Sequence, residues 1–285
     1  MQAPPSFTEH VTFAAGTPVH HIEAGSGDIL MLLHGSLCDY RYWRWQMPAF
    51  AGSYRVVAPS LPGCWPQAVD RTSATTTTPN AAASDMATPF SMVQHVQSVM
   101  DLCARLSPDR PVHMVGHSRG AQVALEAAQA MPERVGALVL ADPGFAFTDE
   151  PPIVPVHRAI AERLGQAPLD EVLADFVDTV NGPGTWRQTV SWFKDMVRAN
   201  AWTLLPQLAD MGRCVDLDGL AQTLRGPVLL VGGELSPPRY GTRIDALMKA
   251  LPQATRVVVP KAAHGMNLAN ARYFNETVLN FLRSA

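Results

Sequence analysis

Hydrophobic and polar positions alternate near the N-terminus, and further along the chain they give way to short continuous apolar runs. The segments EHVTF and TPVHHIEAG alternate on either side of Ala14–Gly16, a pattern that predicts a β-hairpin. DILMLLHG and YRVVAPSLPG are apolar runs of strand length, and such runs are typical of strands that are buried on both faces of a sheet.

Strands and helices then alternate through most of the chain. Apolar side chains recur at helical spacing in FSMVQHVQSVMDLCARL, at Met92, Val96, Val99, Cys103 and Leu106. PVHMVGH, GAQVALEAAQAM and RVGALVLADPG follow as strand, helix and strand, and the same rhythm returns from residue 226 to the C-terminus. This alternation predicts an α/β fold with a parallel sheet covered by helices on both faces.

One long segment interrupts the alternation. Residues 145–225 contain no buried-strand pattern and have helical character with many large side chains, namely Trp186, Trp192, Phe193, Met196 and Trp202. We therefore predict an α/β core of residues 1–144 and 226–285 with a helical insertion at 145–225. Residues 66–89 are rich in Thr, Ala, Ser and Pro without any period, which predicts a mobile loop.

Composition narrows the classes of protein that the chain can belong to. It has 285 residues, 47% hydrophobic and 16% charged, with a formal net charge of −3, values typical of a soluble globular protein. The basic residues are scattered, which argues against a nucleic-acid partner. The chain lacks a signal-peptide pattern, a membrane-length apolar run and CxxC pairs, so we expect a cytoplasmic protein with reduced thiols and no metal. Composition does not distinguish a monomer from a homodimer.

Ser118 is the first candidate for chemistry. It lies in GHSRG between Gly116 and Gly120, where a predicted strand meets a predicted helix. A tight strand–turn–helix pushes the central hydroxyl out of the sheet, and glycines let neighbouring backbone pass close to it. The next amide, that of Arg119, then lies at a helix N-terminus. A phosphate-binding loop is the alternative, but the chain lacks the further glycines or the GK[ST] ending of such loops.

A serine hydroxyl needs a base, and His264 is the best placed of nine histidines. It follows the last predicted strand in PKAAHGMN, so it shares the carboxyl edge of the sheet with Ser118. His10, His20, His21 and His113 are interpreted as structural or solvated, and His95 as lying on the polar flank of its helix. In LLHGS, the His34 side chain is expected to hold the loop in place by hydrogen bonding. The backbone amide of Ser36 or Leu37 in this loop, together with the amide of Arg119, would form an oxyanion hole.

Four motifs together resemble the α/β-hydrolase superfamily. They are HG after an early strand, SLPG after the next, GHSRG, and a late AH before the terminal helix. The resemblance spans about Thr17 to Leu282. It implies a mostly parallel eight-stranded sheet with an inserted helical cap or lid, with Ser118 as the nucleophile and His264 as the base of a catalytic triad.

The third member of the triad departs from the commonest family pattern. Ser236 stands in GGELSPPRY where the acid after the seventh strand is expected, and a hydroxyl carries no negative charge. Asp142, which ends a buried strand in LVLADPG, is the favoured substitute, because some members of the family place the acid there. Glu234, two residues before the usual position, is the alternative acid.

By this resemblance the protein is expected to be an esterase-like serine hydrolase that needs no cofactor. It would cleave a carboxylic ester or lactone of a small, largely hydrophobic substrate through an acyl-enzyme. The expected substrate-binding side chains are Trp186, Trp192, Phe193 and Met196. The Arg119 side chain would either bind a substrate carboxylate or pair structurally. C–C bond hydrolysis, acyl transfer, cofactor-free perhydrolysis and a non-catalytic ligand receptor stay open as alternatives.

Overall fold

The strands form one sheet. The computed structural model describes residues 7–67, 90–148 and 155–285, so most of the predicted loop, residues 68–89, lies outside the described residues. Within those ranges the sheet contains eight strands, which are β1 (Thr8–Ala14), β2 (Thr17–Ala24), β3 (Ile29–Leu33), β4 (Arg55–Pro59), β5 (Val112–His117), β6 (Val135–Ala141), β7 (Val228–Gly233) and β8 (Thr255–Val259).

Helices connect the strands. In the same described ranges they are α1 (Met47–Phe50), α2 (Met92–Leu106), α3 (Arg119–Ala130), α4 (Pro155–Glu162), α5 (Leu169–Asn181), α6 (Thr185–Gln188), α7 (Ser191–Ala199), α8 (Leu204–Asp210), α9 (Leu217–Thr223), α10 (Pro238–Ala250), α11 (Met266–Ala269) and α12 (Ala271–Ser284). Short 3-10 helices occur at Tyr40–Trp43, Pro132–Arg134 and Ala201–Thr203. None of the helices in these ranges has the length and apolar character needed to cross a membrane.

The sheet is mostly parallel, as predicted. Its strand order is β1-β2-β4-β3-β5-β6-β7-β8. The N-terminal hairpin pairs β1 with β2 in an antiparallel register that joins Ala14 to Thr17, and β2 also runs antiparallel to β4. All pairings from β4 through β8 are parallel. The carboxyl ends of these strands therefore share one edge of the sheet, where the predicted chemistry lies.

Strand β3 is buried on both faces, which explains its unbroken apolar run. Leu30 and Leu32 belong to an apolar cluster that includes side chains of α1 and α12. Met31 and Leu33 point to the other face and belong to a second cluster with side chains of α2, α3 and α10. Because successive side chains of a strand point to opposite faces, the two clusters show that helices cover both sides of the sheet.

Helix α2 confirms the predicted apolar stripe and corrects the placement of one histidine. Met92, Val96, Val99 and Cys103 of the stripe are buried. His95 does not lie on a polar flank, because its side chain is fully buried and its Nε2–H donates to the carbonyl oxygen of Pro62 at 2.9 Å. The chain that follows β4 covers this side of the helix, which helical spacing alone does not reveal.

The segment between β6 and β7 is helical in its described part, as the sequence indicated. Side chains of α4, α5 and α7, such as Ile160, Val172 and Met196, belong to the same cluster as those of α1 and α12. Helix α9 differs, because its Leu220 is buried in the opposite cluster with side chains of α3 and α10. Helix α9 therefore packs with α3 and α10, and not with α4, α5 and α7.

Candidate active site

Ser118 occupies a strained turn between β5 and α3. Its φ and ψ are 54° and −118°, a conformation that non-glycine residues rarely adopt and that tends to occur at functional sites. The turn leaves no room for side chains beside it, because a Cβ on Gly116 would overlap the carbonyl oxygen of Gly120, and one on Gly120 would overlap that of Leu33. Ser118 N–H donates to the carbonyl oxygen of Ala141 at 2.9 Å, which ties the turn to β6.

Asp142 and His264 are hydrogen-bonded at the same edge of the sheet. His264 Nδ1 lies 3.1 Å from Asp142 Oδ2, and both residues are buried. Asp142 directly follows β6, and its backbone also has a positive φ of 41°. The hydroxyl of Ser236 donates to the same carboxylate oxygen at 2.5 Å. The residue at the usual acid position therefore contacts the carboxylate that the sequence favours as its substitute.

Glu234, the alternative acid, contacts a different partner. Its Oε2 accepts a hydrogen bond from the backbone N–H of Lys261 at 2.7 Å, on an exposed part of the loop after β8. The structure therefore brings Asp142, and not Glu234, into contact with the imidazole of His264. The catalytic role of Asp142 stays a prediction.

Burial disfavours charge on both members of this pair. It raises the pKa of Asp142 to about 7, an effect that hydrogen bonds from the Ser236 hydroxyl and the Gly233 amide partly oppose. It also lowers the pKa of His264 to about 3. His264 is therefore neutral at neutral pH, which is the form that can accept a proton from a serine hydroxyl.

Three contacts that the sequence does not predict hold the His264 loop. The Tyr240 ring stacks on the imidazole with centroids 4.1 Å apart. His117 Nε2–H donates to the His264 carbonyl oxygen at 2.7 Å, and Asn181 of α5 accepts from the Gly265 N–H at 2.8 Å. The first two residues adjoin the GHSRG and SPPRY motifs, which could have drawn attention to them. Asn181 carries no such signal, because its contact depends on how α5 packs.

The loop after β3 lies beside Ser118. His34 braces it as predicted, with Nδ1–H donating to the Gly35 carbonyl oxygen and Nε2 accepting from the Leu61 N–H, each at 2.9 Å. Leu37 has a left-handed φ of 60°, which turns the loop sharply at this point. The candidate oxyanion-hole residues Ser36, Leu37 and Arg119 line the same cavity as Ser118.

The side chain of Arg119 is engaged inside the protein. Only 8% of the residue is exposed, and its Nε donates to His95 Nδ1 at 3.4 Å. The guanidinium also lies 4.9 Å from the centroid of the Phe90 ring. Of the two roles considered for this side chain, structural pairing is the one that these contacts support.

A cavity of about 800 Å³ connects Ser118 and His264 to the inserted helices. This volume is within the usual range for small-molecule sites. Trp192 and Phe193 line it, as expected of substrate-binding side chains.

Trp186 and Met196 are not among the described residues that line the cavity, and both pack into the apolar cluster. Their expected role in substrate binding stays a prediction. Met196 is fully buried, and Trp186 is 7% exposed beneath the ammonium group of Lys194. The apolar side of an amphipathic helix can pack against other helices or line a cavity. Helical spacing in the sequence does not distinguish these two environments.

Comparison with known proteins identifies the family. The sequence model of the alpha/beta hydrolase family matches residues 30–277. The chain belongs to the alpha/beta hydrolase family. It is 27% identical over 281 residues to the pimeloyl-[acyl-carrier protein] methyl ester esterase of Aeromonas hydrophila, an alignment that covers 90% of this chain and 96% of that esterase.

Two further comparisons show similarity over most of the chain, one in sequence and one in fold. The chain is 26% identical over 276 residues to the dihydrolipoyllysine-residue acetyltransferase component of the acetoin cleaving system of Pseudomonas putida, and it spans 64% of the length of that protein. The structure of a thermophilic esterase from Thermogutta terrifontis superposes with a TM-score of 0.74 at 20% identity, covering 97% of this chain and 98% of the esterase. The predicted superfamily and α/β-hydrolase fold are confirmed.

Proposed function

We propose that this protein is a serine hydrolase that cleaves a carboxylic ester or lactone through an acyl-enzyme. The observation that carries the proposal is the buried hydrogen bond between Asp142 and His264, a residue that lines the same cavity as the strained Ser118. A buried carboxylate on Nδ1 fixes the tautomer of an imidazole, so that Nε2 is free to accept the proton of a serine hydroxyl.

In the proposed acylation step, Ser118 Oγ forms a bond to the substrate carbonyl carbon while its proton passes to His264 Nε2. The carbonyl oxygen becomes an oxyanion, which accepts hydrogen bonds from the backbone amides of Arg119 and of Ser36 or Leu37. The intermediate then breaks its bond to the leaving alcohol oxygen. His264 gives its proton to that oxygen, and the alcohol departs.

Deacylation repeats the same chemistry with water. His264 removes a proton from a water molecule as the water oxygen attacks the acyl carbon, and it then returns the proton to Ser118 Oγ. The carboxylic acid product is released and the enzyme is restored. Asp142 stabilises the imidazolium in both steps without becoming the proton acceptor.

The wall of the cavity supports a substrate with an apolar body. Phe176, Val177 and Val180 from α5 line it, together with Trp192 and Phe193 from α7. A small, largely hydrophobic acyl or alcohol group would bury apolar surface against these side chains, a favourable contribution of roughly 25 cal/mol per Å².

Fluorophosphonate labelling combined with ester hydrolysis tests this proposal. We expect the probe to form a phosphorus–oxygen bond to Ser118 with loss of fluoride, located by peptide mass spectrometry. Ser118→Ala should abolish both labelling and turnover of short-chain p-nitrophenyl esters. The same substitution at the exposed Ser284 is the matched control. An unlabelled Ser118 combined with saturable binding of the esters without turnover would favour the receptor interpretation.

Product analysis separates the hydrolase from other reactions of the same triad. With esters, lactones and aryl diketones as substrates, an ester hydrolase should release an acid and an alcohol from the esters, open the lactones to hydroxy acids, and leave the diketones intact. Faster cleavage of a diketone would identify a C–C hydrolase. Preferential transfer of the acyl group to an added alcohol or to hydrogen peroxide would identify an acyltransferase or a perhydrolase.

A further inference from the structure

The charged side chains that line the cavity are all cationic. They are Arg119, Arg213, Arg239, Arg243 and Lys261, and the described lining residues include neither aspartate nor glutamate. The whole chain, in contrast, has 25 acidic and 22 basic residues. A cleft lined by one sign of charge attracts ligands of the opposite sign. The cationic side chains therefore favour binding of an anionic group in this cavity, although most of its wall is apolar.

Three of these cations have partners within the protein. Arg213 forms an ion pair with Glu126 at 2.9 Å. Arg243 donates from Nε to the carbonyl oxygen of Phe145 at 2.9 Å. Arg119 is held by the side chain of a buried histidine, as described above. These contacts within the protein explain why the three arginines lie at the cavity wall, so none of them needs a ligand as a partner.

Arg239 differs from them. It is half-buried at the start of α10, and its Nη2 donates to the neutral hydroxyl of Tyr240 at 2.6 Å. No carboxylate among the described residues lies within ion-pair distance of this guanidinium. Arg239 lies over the Tyr240 ring at 4.7 Å, and the same ring stacks on the imidazole of His264. The guanidinium and the imidazole of the proposed base therefore both contact the ring of Tyr240.

His157 of α4 adds a second polar group to the same wall. It is 7% exposed, it lines the cavity, and neither of its ring nitrogens has a hydrogen-bond partner. Burial lowers the pKa of His157 to about 4, and the charge of Arg239 contributes to this lowering. The ring is therefore neutral at neutral pH, with one N–H to donate. Buried polar side chains are usually hydrogen-bonded, and at His157 a polar group of a ligand in the cavity could supply the partner that the described protein residues do not.

We propose that the substrate carries a carboxylate that binds to Arg239 and His157, a short chain away from the scissile carbonyl. This inference rests on the proposed function and specifies its substrate class. A planar carboxylate has two oxygens, which match the N–H groups of a guanidinium and one further donor. The aromatic wall of α7 would contact the apolar part of the same molecule.

Two esters that differ only at one end test the proposal. The mono-p-nitrophenyl ester of adipic acid and p-nitrophenyl hexanoate have acyl chains of equal length, but only the first ends in a carboxylate. We expect the wild-type enzyme to give at least a tenfold higher kcat/KM for the adipate ester. In Arg239→Gln the ratio of the two kcat/KM values should fall roughly 10- to 100-fold, as expected for the loss of a charged hydrogen bond. Arg239→Lys should restore part of the preference.

Arg272→Gln is the matched control, because Arg272 is exposed on α12 and pairs with Glu276 outside the cavity. It should leave the ratio unchanged. The proposal is overturned if the wild-type enzyme does not prefer the adipate ester. It is also overturned if Arg239→Gln slows both esters equally, since that result would show that Arg239 acts only by supporting Tyr240.

A binding measurement separates this proposal from the proposed function. The monoanilide of adipic acid and hexananilide are amide analogues of the two esters, and calorimetry on Ser118→Ala measures their binding without turnover. We expect the adipate monoanilide to bind at least tenfold more tightly, with the difference lost in Arg239→Gln and reduced in His157→Leu. If neither ester is hydrolysed but this preference holds, the carboxylate site stands and the hydrolase assignment fails. Equal binding of the two anilides refutes the carboxylate site.

Discussion

Replacement of Asp142 by Asn tests whether this carboxylate is the acid of the triad. The carboxylate contacts His264 Nδ1 at 3.1 Å in a buried site. Unit charges about 4 Å apart attract by about 4 kcal/mol at an effective dielectric constant of about 20. If Asp142 stabilises the imidazolium by that amount, its loss should lower kcat about 10³-fold. Glu234→Gln is the matched comparison and should change kcat less than about 3-fold, because Glu234 contacts only an exposed loop amide.

Steady-state hydrolysis of a p-nitrophenyl ester at neutral pH measures both variants, and fluorophosphonate labelling verifies that Ser118 is still presented. The double variant Asp142→Asn/Ser236→Asp is an internal rescue, because Ser236 Oγ lies 2.5 Å from the Asp142 carboxylate. A carboxylate introduced there would approach the same imidazole, and we expect it to recover at least about tenfold of the lost rate, or about 1.4 kcal/mol. A larger loss in Glu234→Gln than in Asp142→Asn would refute the assignment.

Three further predictions follow from burial in and around the site. The kcat/KM of a neutral ester should fall as the pH drops through about 7, where protonation of Asp142 removes its charge; an acid limb below pH 5 would contradict this. Acid should destabilise the protein, because the pKa of His157 is lowered to about 4 in the folded state, so stability present above the unfolded value of about 6.5 is lost as the pH falls towards 4. Urea titrations at these two pH values should show that the free energy of unfolding falls by roughly 3 kcal/mol less in His157→Phe than in the wild type. Met196→Ala should lower the free energy of unfolding by about 2–5 kcal/mol, whereas Trp192→Ala should mainly raise the KM for the ester. The reverse result would indicate that Met196, and not Trp192, contacts the substrate.

The sequence predicted those parts of the site that depend on local backbone geometry. The prediction for Ser118 rests on a strand, a tight turn and a helix that follow one another within a few residues. The prediction for His264 rests on the rule that every loop after a parallel strand reaches the same edge of the sheet. Both inferences need only the order of elements along the chain.

Other parts depend on tertiary packing, which a pattern of residues does not encode. Asp142 and Glu234 both follow parallel strands, and only the folded structure shows which carboxylate contacts the imidazole. Met196 and Trp192 lie on one helix, yet one faces the core and the other the cavity. Helical spacing places His95 on a polar flank. Its burial is not visible in that spacing, because the residue that accepts its hydrogen bond, Pro62, comes from a different part of the sequence.

The hydrogen bond from Gly265 N–H to Asn181 joins the loop of the proposed base to α5 in the inserted segment. Any rearrangement that lifts α5 from the sheet must break this bond, and it thereby removes one support from the residue next to His264. This bond is therefore a direct contact between the inserted segment and the loop that carries His264. A protein engineer who grafts a different set of helices between β6 and β7 would need to supply an equivalent acceptor for that amide.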